Sequence, residues 1–119
     1  MVSFWTTFGT SAEAQARLWL SKQGYIILDY NWRRPWGELD IVAEKDAVIH
    51  FIEVKASVLQ RPGFEPYVRA GATKMLKVQR TARTWLAQHR PNQDTEWQMD
   101  VISVIMQSMG PTFEHFQQI

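Results

Sequence analysis

The 119-residue sequence contains no cysteine, which excludes disulfide bonds, thiolate metal sites and cysteine nucleophiles. It contains only three histidines, at scattered positions, so a zinc site is not expected and any metal would be held by oxygen ligands. No hydrophobic run approaches the length of a membrane span, and the N-terminal segment lacks the basic start and apolar core of a signal peptide. We therefore expect a cytoplasmic protein that does not bind membranes.

The residues that are present have the composition of a compact domain. Hydrophobic residues make up 45% of the chain and charged residues 21%. These proportions are typical of a globular protein, whereas a disordered or fibrous chain would be more polar or more repetitive. At this length we predict one domain over residues 1–119.

The charges are unevenly distributed along the chain. Residues 61–90 hold seven basic residues and one acidic residue, whereas the remainder holds six basic and eleven acidic residues. Helical spacing places Arg69, Lys77, Arg80 and Arg83 on the face opposite the apolar residues of this stretch, with Lys74 at the border. Both a solvated helix face and a surface for a polyanion account for such a stripe, and the near absence of acidic residues makes the second as probable as the first.

Hydrophobic periodicity predicts the element order helix, three strands, helix, strand. The predicted helices cover 10–23 and about 67–89, and the predicted strands cover 25–32, 38–44, 47–55 and 97–106. The last strand follows a long helix and can therefore join the sheet in parallel. This order (α-β-β-β-α-β) predicts an α/β fold with a mixed sheet flanked by helices. The C-terminal segment PTFEHFQQI is not assigned.

The first predicted helix has sequence signals at both ends. Thr10 followed by Glu13 matches a capping box, and Gly24 is placed to end the helix in the left-handed conformation. Glu13 therefore has a structural interpretation, as a capping residue, beside any functional one.

Three charged residues interrupt the two central apolar strands, in the segments GELDIVAE and AVIHFIEVK. A hairpin that turns at residues 45–46 would place Asp40 opposite Phe51, on the same face of the sheet. The period of two along a strand adds Glu53 and Lys55 to that face. A slip of one residue in this register would send Asp40 to the opposite face.

Two carboxylates and a lysine at the end of an apolar face need a compensating charge, because an unpaired buried carboxylate is strongly unfavourable. A hard cation such as Mg²⁺ (or Mn²⁺) takes carboxylate ligands, keeps several waters and lowers the pKa of one of them. A lysine can stabilise negative charge that develops on a phosphate oxygen. These residue types are those of metal-assisted phosphodiester hydrolysis, although an E-x-K pair alone is also common on solvated strands.

The loop NWRRPWG adds aromatic and basic side chains that are suited to stacking on bases and pairing with phosphates. Trp32 and Trp36 could equally be core residues. The loop and the basic helix together predict a nucleic-acid-binding surface that consists of Arg33, Arg34, Arg69, Lys74, Lys77 and Arg80.

Taken together, these segments closely resemble the YraN-like family of uncharacterised bacterial proteins. The likeness covers roughly residues 9–116, and GELDIVA and FIEVKAS are its specific part. A helix with an Ala-Glu step, a basic helix and the strand WQMDVISV accompany these two blocks. The family is similar to the archaeal Holliday-junction resolvases and, more widely, to the PD-(D/E)xK restriction-endonuclease-like nucleases.

This resemblance implies roles for individual residues. It implies that Asp40, Glu53 and the main-chain carbonyl of Val54 are metal ligands and that Lys55 is the catalytic lysine. It also implies that Glu13 is a further acidic member of the site. The expected function is a Mg²⁺- or Mn²⁺-dependent endonuclease that acts on DNA, with branched or structured DNA as one substrate class. Junction-cleaving relatives act as dimers, so a homodimer is implied by analogy.

Two positions depart from the family pattern. Ala12 stands where glycine is more usual before the glutamate, and Ala56 and Ser57 replace a basic continuation after EVK. We expect the first to matter little and the second to weaken the phosphate-binding edge. Two other hypotheses therefore remain beside the nuclease: a nucleic-acid-binding protein without catalysis, and a partner-binding protein whose acidic site is a relic.

Overall fold

The computed structural model describes the backbone of residues 4–57 and 72–119, and the side chains of residues 11–57 and 75–119. The elements in chain order are α1 (Phe4–Lys22), β1 (Ile26–Arg34), β2 (Gly37–Lys45), β3 (Val48–Ser57), α2 (Ala72–His89), β4 (Glu96–Gln107) and β5 (Gly110–Phe116). Within this part of the chain, no helix has both the length and the apolar character needed to cross a membrane.

The strands form one five-stranded mixed sheet in the order β1-β2-β3-β4-β5. Strands β1, β2 and β3 are antiparallel neighbours, and β4 joins β3 in parallel after α2 crosses over. The predicted α/β fold is therefore confirmed. The structure adds β5, an antiparallel edge strand that begins at Gly110 and Pro111. Sequence analysis left this segment unassigned, and proline near the start of an edge strand is compatible with pairing because its missing N–H can face solvent.

Each helix covers one face of the sheet with its own apolar cluster. Towards α1, Ala12, Ala16 and Leu20 pack against Ile41 and Ile52, among other residues. Towards α2, the cluster contains the following residues: Leu39, Val42, Ile49, Phe51, Ala82, Trp85 and Met99. Burial on both faces explains why β3 and β4 are nearly continuous apolar runs. The predicted apolar face of the basic helix is confirmed where side chains are described.

Helix α1 begins six residues earlier than predicted, at Phe4. Thr10 lies inside the helix, so the capping-box interpretation of Glu13 is wrong. No proline occurs between residues 4 and 10 to stop the helix from extending. The predicted end is confirmed: Gly24 has a φ of 92°, and the Tyr25 amide donates to the Leu20 carbonyl at 3.0 Å, as in a Schellman motif.

The β2–β3 hairpin turns one residue later than predicted. Asp46 and Ala47 have φ angles of 53° and 65°, as a type I′ turn requires, because that turn has two consecutive left-handed residues that match the strand twist. Val42 therefore pairs with Phe51, and the predicted pairing of Asp40 with Phe51 is wrong by two residues. A shift of two preserves the face of every side chain, because the strand period is also two.

The basic helix α2 is confirmed over Ala72–His89. The beginning of the predicted helix, near residue 67, lies outside the described residues. Pro91 follows the last helical residue by two positions, where proline is common because it cannot continue a helix.

Gly37 allows α2 to approach the β1–β2 turn. A Cβ atom at this position would collide with the Thr81 hydroxyl, which is buried and donates to the Lys77 carbonyl at 2.7 Å. We expect Gly37→Ala to destabilise the fold by about 1–3 kcal/mol through overpacking, measured by denaturant unfolding. Adding Thr81→Ala removes the obstructing atoms, so the double variant should lose less stability than the two single losses combined. Additive losses would contradict this interpretation.

Candidate functional site

Near the N-terminal end of β2, the backbone pairing between β2 and β3 stops, and a hydrogen bond to a side chain takes its place. The paired residues extend to Ile41 and Ile52. One step further, the Asp40 carboxylate accepts a hydrogen bond from the Val54 amide, with Oδ2 2.9 Å from the nitrogen. The carboxylate is therefore held by main chain between the two strands, and its orientation is fixed.

Glu53 and Lys55 project to the other face of β3 from Ile52 and Val54, which both pack towards α1. The Lys55 ammonium lies 3.0 Å from a Glu53 carboxylate oxygen. Their side chains are 36% and 20% exposed, so this ion pair is accessible to a ligand and remains partly shielded from water.

The regular alternation of side chains in β1 is interrupted at Asn31, and this interruption directs a further charged side chain towards the α1 face of the sheet. Asn31 has a φ of 49°; before it, Tyr30 lies under Arg17 of α1, and after it, Trp32 meets His89 of α2. The next residue, Arg33, pairs with Glu38 of β2 at 3.5 Å.

Electrostatic interactions connect these elements to Glu13 of α1. Burial raises the pKa of the Glu13 carboxyl, and the charge of Glu38 raises it further, while Arg17 and Arg33 oppose the change. The Glu38 carboxylate is therefore close enough to disfavour the ionised form of Glu13, because like charges repel. Glu13 is therefore part of the charged cluster.

The Asp40 carboxyl has a strongly raised pKa. Burial and the charges of Glu13, Glu38 and Glu53 together raise the pKa of the Asp40 carboxyl to about 6, although the hydrogen bond from the Val54 amide acts in the opposite direction. An acid that is buried beside three others is poorly stabilised as an anion. A nearby cation would lower the pKa of Asp40 and stabilise its ionised form.

A pocket of about 290 Å³ opens beside the cluster, between the sheet and the first turns of α2. Glu38, Asp40, Glu53, Trp36 and Lys77 line its polar part. Asp100 also lines the pocket, and the apolar part of the wall includes Leu39, Phe51, Met75, Val78 and Met99. Such a combination of an apolar wall with a few convergent polar groups is typical of ligand sites.

The structure thus brings together the predicted residues Asp40, Glu53 and Lys55, with Glu13 joining from α1 and Val54 through its main chain. Their roles in metal binding and catalysis stay predictions. The donor set fits a hard divalent cation, because Asp40 and Glu53 offer carboxylate oxygens in the same pocket.

The predicted nucleic-acid-binding residues occupy two places. Lys77 and Arg80 are exposed on α2, and the Arg80 guanidinium lies 4.7 Å from the Trp36 ring centroid. Arg34 stacks on Trp32 at 3.7 Å and also donates to Gln88 of α2 at 3.0 Å.

The remaining predicted residues of that surface are less constrained or not described. The Arg33 side chain is 73% exposed. Arg69 lies outside the described residues, as does the side chain of Lys74. Both tryptophans of the loop are half-buried; Trp32 packs against the α2 cluster, and within the described residues the buried Trp36 Nε1 has no hydrogen-bond partner.

Comparison with known proteins places this architecture in a family. Residues 12–104 match the model of uncharacterised protein family UPF0102. The chain belongs to the UPF0102 family. A UPF0102 protein of Campylobacter concisus is 37% identical over 98 residues, which cover 82% of each chain. A UPF0102 protein of Treponema pallidum is 38% identical over 79% of this chain and 74% of its own. A UPF0102 protein of Paenarthrobacter aurescens is 36% identical over 93% of this chain and 91% of its own.

In this UPF0102 protein, a second polar cluster was missed by sequence reasoning. His50 and His115 both contact the buried carboxylate of Asp100. Burial alone would raise the pKa of Asp100, but hydrogen bonds from His115, His50, Gln98 and Gln118 outweigh it and hold that pKa well below its usual range. The histidines are 65 positions apart in the sequence, and only the parallel β3–β4 pairing together with the unpredicted strand β5 brings them together.

Proposed function

We propose that this UPF0102 protein is a Mg²⁺-dependent endonuclease that acts on DNA, including branched or otherwise structured DNA, by metal-assisted phosphodiester hydrolysis. The observation that carries the proposal is the Asp40 carboxylate, which is partly buried, accepts a hydrogen bond from the Val54 amide and lies near Glu13, Glu38 and Glu53. Without a cation this arrangement is unfavourable. A site that is costly for the fold and accessible from a pocket favours a functional reason for its presence.

Four residues would have separate roles in hydrolysis. When bound, Mg²⁺ would supply positive charge and lower the pKa of a coordinated water. Asp40 and Glu53 would hold it, together with the Val54 carbonyl, and the Val54 amide would keep the Asp40 carboxylate in a fixed orientation. Glu53 holds the Lys55 ammonium at the site, where it would stabilise negative charge on the attacked phosphate.

DNA is the proposed polyanion because exposed basic residues border the same pocket. Lys77 lines the pocket directly, and Arg80 and Arg83 follow on the outer face of α2. Cations on one helix face can neutralise successive backbone phosphates and position the duplex without reading its sequence. The scissile phosphate would then lie between this face of α2 and the Asp40 cluster.

The direct test is cleavage of linear, flapped and four-way DNA by the purified protein with Mg²⁺, with Mn²⁺ and with EDTA. We expect metal-dependent nicking of at least one of these substrates. Absence of cleavage with either metal, in a protein that is folded and retains DNA, would reject the nuclease and leave binding.

A nucleic-acid-binding protein without catalysis is the second candidate. It is favoured by the end of β3, where exposed Ala56 and half-buried Ser57 follow Lys55, so no basic side chain continues the strand. Such a protein would keep the same α2 surface and the same response to salt, and would not turn over with any metal.

Both candidates predict salt-sensitive binding through α2. Arg80→Gln combined with Arg83→Gln should weaken DNA binding and reduce the slope of log K against log [salt] by about 2, since each lost phosphate contact removes about 0.9. Fluorescence anisotropy over a series of salt concentrations measures this slope. Lys22→Gln, at the end of α1, is the matched control and should leave the slope unchanged. Equal slopes in all proteins would show that α2 does not contact the DNA backbone.

A further inference from the structure

Three side chains from adjacent strands converge on the α1 face of the sheet. His50 lies on β3, Asp100 on β4 and His115 on β5. Ile52 and Ile102 pack towards α1, and alternation along the strands places His50 and Asp100 on the same side. One potential ligand atom from each of the three residues lies within 4.8 Å of the others. The proposed nuclease does not use this cluster.

The Asp100 carboxylate is oriented by four hydrogen bonds. Its Oδ2 atom lies 2.6 Å from His50 Nδ1 and 2.7 Å from His115 Nε2, so both imidazoles are directed at the same oxygen. Its Oδ1 atom accepts from the Gln98 side-chain amide at 2.8 Å and from the Gln118 main-chain amide at 3.1 Å. The two glutamines therefore hold the carboxylate so that Oδ2 faces the histidines.

The cluster is almost completely buried, and its charge is poorly balanced. The side chains of His50, Asp100 and His115 are 7%, 0% and 9% exposed. In the described part of the chain, the ion-pair contacts of Asp100 are with these two histidines and include no lysine or arginine. With neutral imidazoles the group carries one negative charge, which the four hydrogen bonds stabilise and which a bound cation would balance.

We propose that His50, Asp100 and His115 form a second metal site, for a divalent transition-metal ion such as Zn²⁺. Two imidazoles and one carboxylate form a donor set that suits Zn²⁺ and related ions, whereas Mg²⁺ prefers oxygen ligands. Three protein ligands leave one tetrahedral position for water or a further ligand. Gln98 and Gln118 are placed as the outer hydrogen-bond partners that commonly orient a ligating carboxylate.

Binding requires a small rearrangement of the cluster. Donors about 2.1 Å from a tetrahedral ion are about 3.4 Å apart, whereas the two imidazole nitrogens lie 2.6 and 2.7 Å from Oδ2. Each neutral imidazole would carry its proton on the ring nitrogen that faces away from Asp100, so that the nitrogen facing Oδ2 is free to ligate, and the ligands would separate by about 0.7–0.8 Å. His115 is on the edge strand β5, which can shift more readily than a central strand.

The test uses the metal-stripped full-length protein and titration with Co²⁺, whose visible absorption reports tetrahedral nitrogen and oxygen ligation. We expect one equivalent of Co²⁺ to give this absorption and Zn²⁺ to displace it. His50→Gln and His115→Gln should each lose the band and bind at least about 10-fold more weakly. The matched control is His89→Gln, because His89 contacts the Trp85 carbonyl and lies outside the cluster. Asp40→Asn should keep the band, which separates this site from the proposed Mg²⁺ site.

Two outcomes would overturn the proposal. In the first, the wild-type protein gives no tetrahedral band and no Zn²⁺-dependent rise in melting temperature, so the cluster is only a hydrogen-bonded structural unit. In the second, the band is unchanged in His115→Gln, so the ion binds elsewhere. Circular dichroism reports whether each variant folds; if His50→Gln does not fold, His115→Gln on the edge strand decides the result.

Discussion

Asp40→Asn is expected to reduce Mg²⁺-dependent DNA cleavage by about 100-fold or more. Loss of a residue that only supports a metal ligand typically costs 10–100-fold, and here the ligand itself would lose its charge. The asparagine keeps an oxygen that can accept the Val54 hydrogen bond, so the strand geometry should be preserved. Initial rates of nicking on the preferred substrate measure the effect.

The matched control is Asp46→Asn. Asp46 is exposed in the turn of the same hairpin and has a φ of 53°, which asparagine tolerates. Its activity should equal that of the wild-type protein. Equal activity of Asp40→Asn and wild type would place the cleavage elsewhere or in a contaminant.

Lys55→Ala should also lose cleavage, by about 10²–10³-fold, through loss of charge stabilisation at the phosphate. It should retain metal binding, because the proposed ligands do not include the lysine. Comparison of Asp40→Asn with Lys55→Ala therefore separates loss of metal binding from loss of charge stabilisation at the phosphate. A Lys55→Ala protein with full activity would remove the lysine from the mechanism.

The second large effect is on the pH dependence of stability. The pKa of Asp40 is raised from 3.8 to about 6 in the folded protein, so the folded state binds the proton more tightly than the unfolded state. The resulting stability is fully present below about pH 4 and is lost as the pH rises through about 6. The shift corresponds to about 3 kcal/mol. The metal-free wild-type protein should therefore be less stable at pH 7 than at pH 4 with respect to this group.

Asp40→Asn should remove that loss. The variant should be more stable than the wild-type protein at pH 7 without metal and similar to it at pH 4, measured by denaturant unfolding at both pH values. Asp46→Asn again serves as the control for a change from acid to amide. A variant that is less stable than wild type at pH 7 would show that the ionised Asp40 carboxylate is not a source of instability.

Metal should counteract the same instability. Mg²⁺ or Mn²⁺ at about 100 times the dissociation constant should stabilise the wild-type protein by about 2.7 kcal/mol, and Asp40→Asn should abolish this stabilisation. Thermal melting with and without metal measures it independently of DNA cleavage. Stabilisation that persists in Asp40→Asn would mean that the ion binds without this carboxylate.

Much of the fold could be predicted because its signals are local. The alternation in β2 and β3, the apolar face of α2 and the glycine after α1 are each recorded in a few consecutive residues. Two predictions from short-range signals were wrong. The capping-box spacing predicted that α1 begins at Thr10, whereas the helix begins at Phe4. The hairpin was predicted to turn at residues 45–46, whereas it turns at Asp46 and Ala47. The second error did no harm to the site, since a register error of two leaves Asp40 and Glu53 on the same face.

By itself, therefore, the sequence determined the types of all the described elements except β5, the mixed sheet and the gathering of Asp40, Glu53 and Lys55, because these depend on local periodicity and one hairpin. Tertiary structure alone decided the burial that raises the pKa of Asp40 and the approach of Glu13 from α1. It also decided the meeting of His50 and His115 at Asp100. These depend on contacts between residues far apart in the chain, whose distances are set by helix packing and by strand order in the sheet.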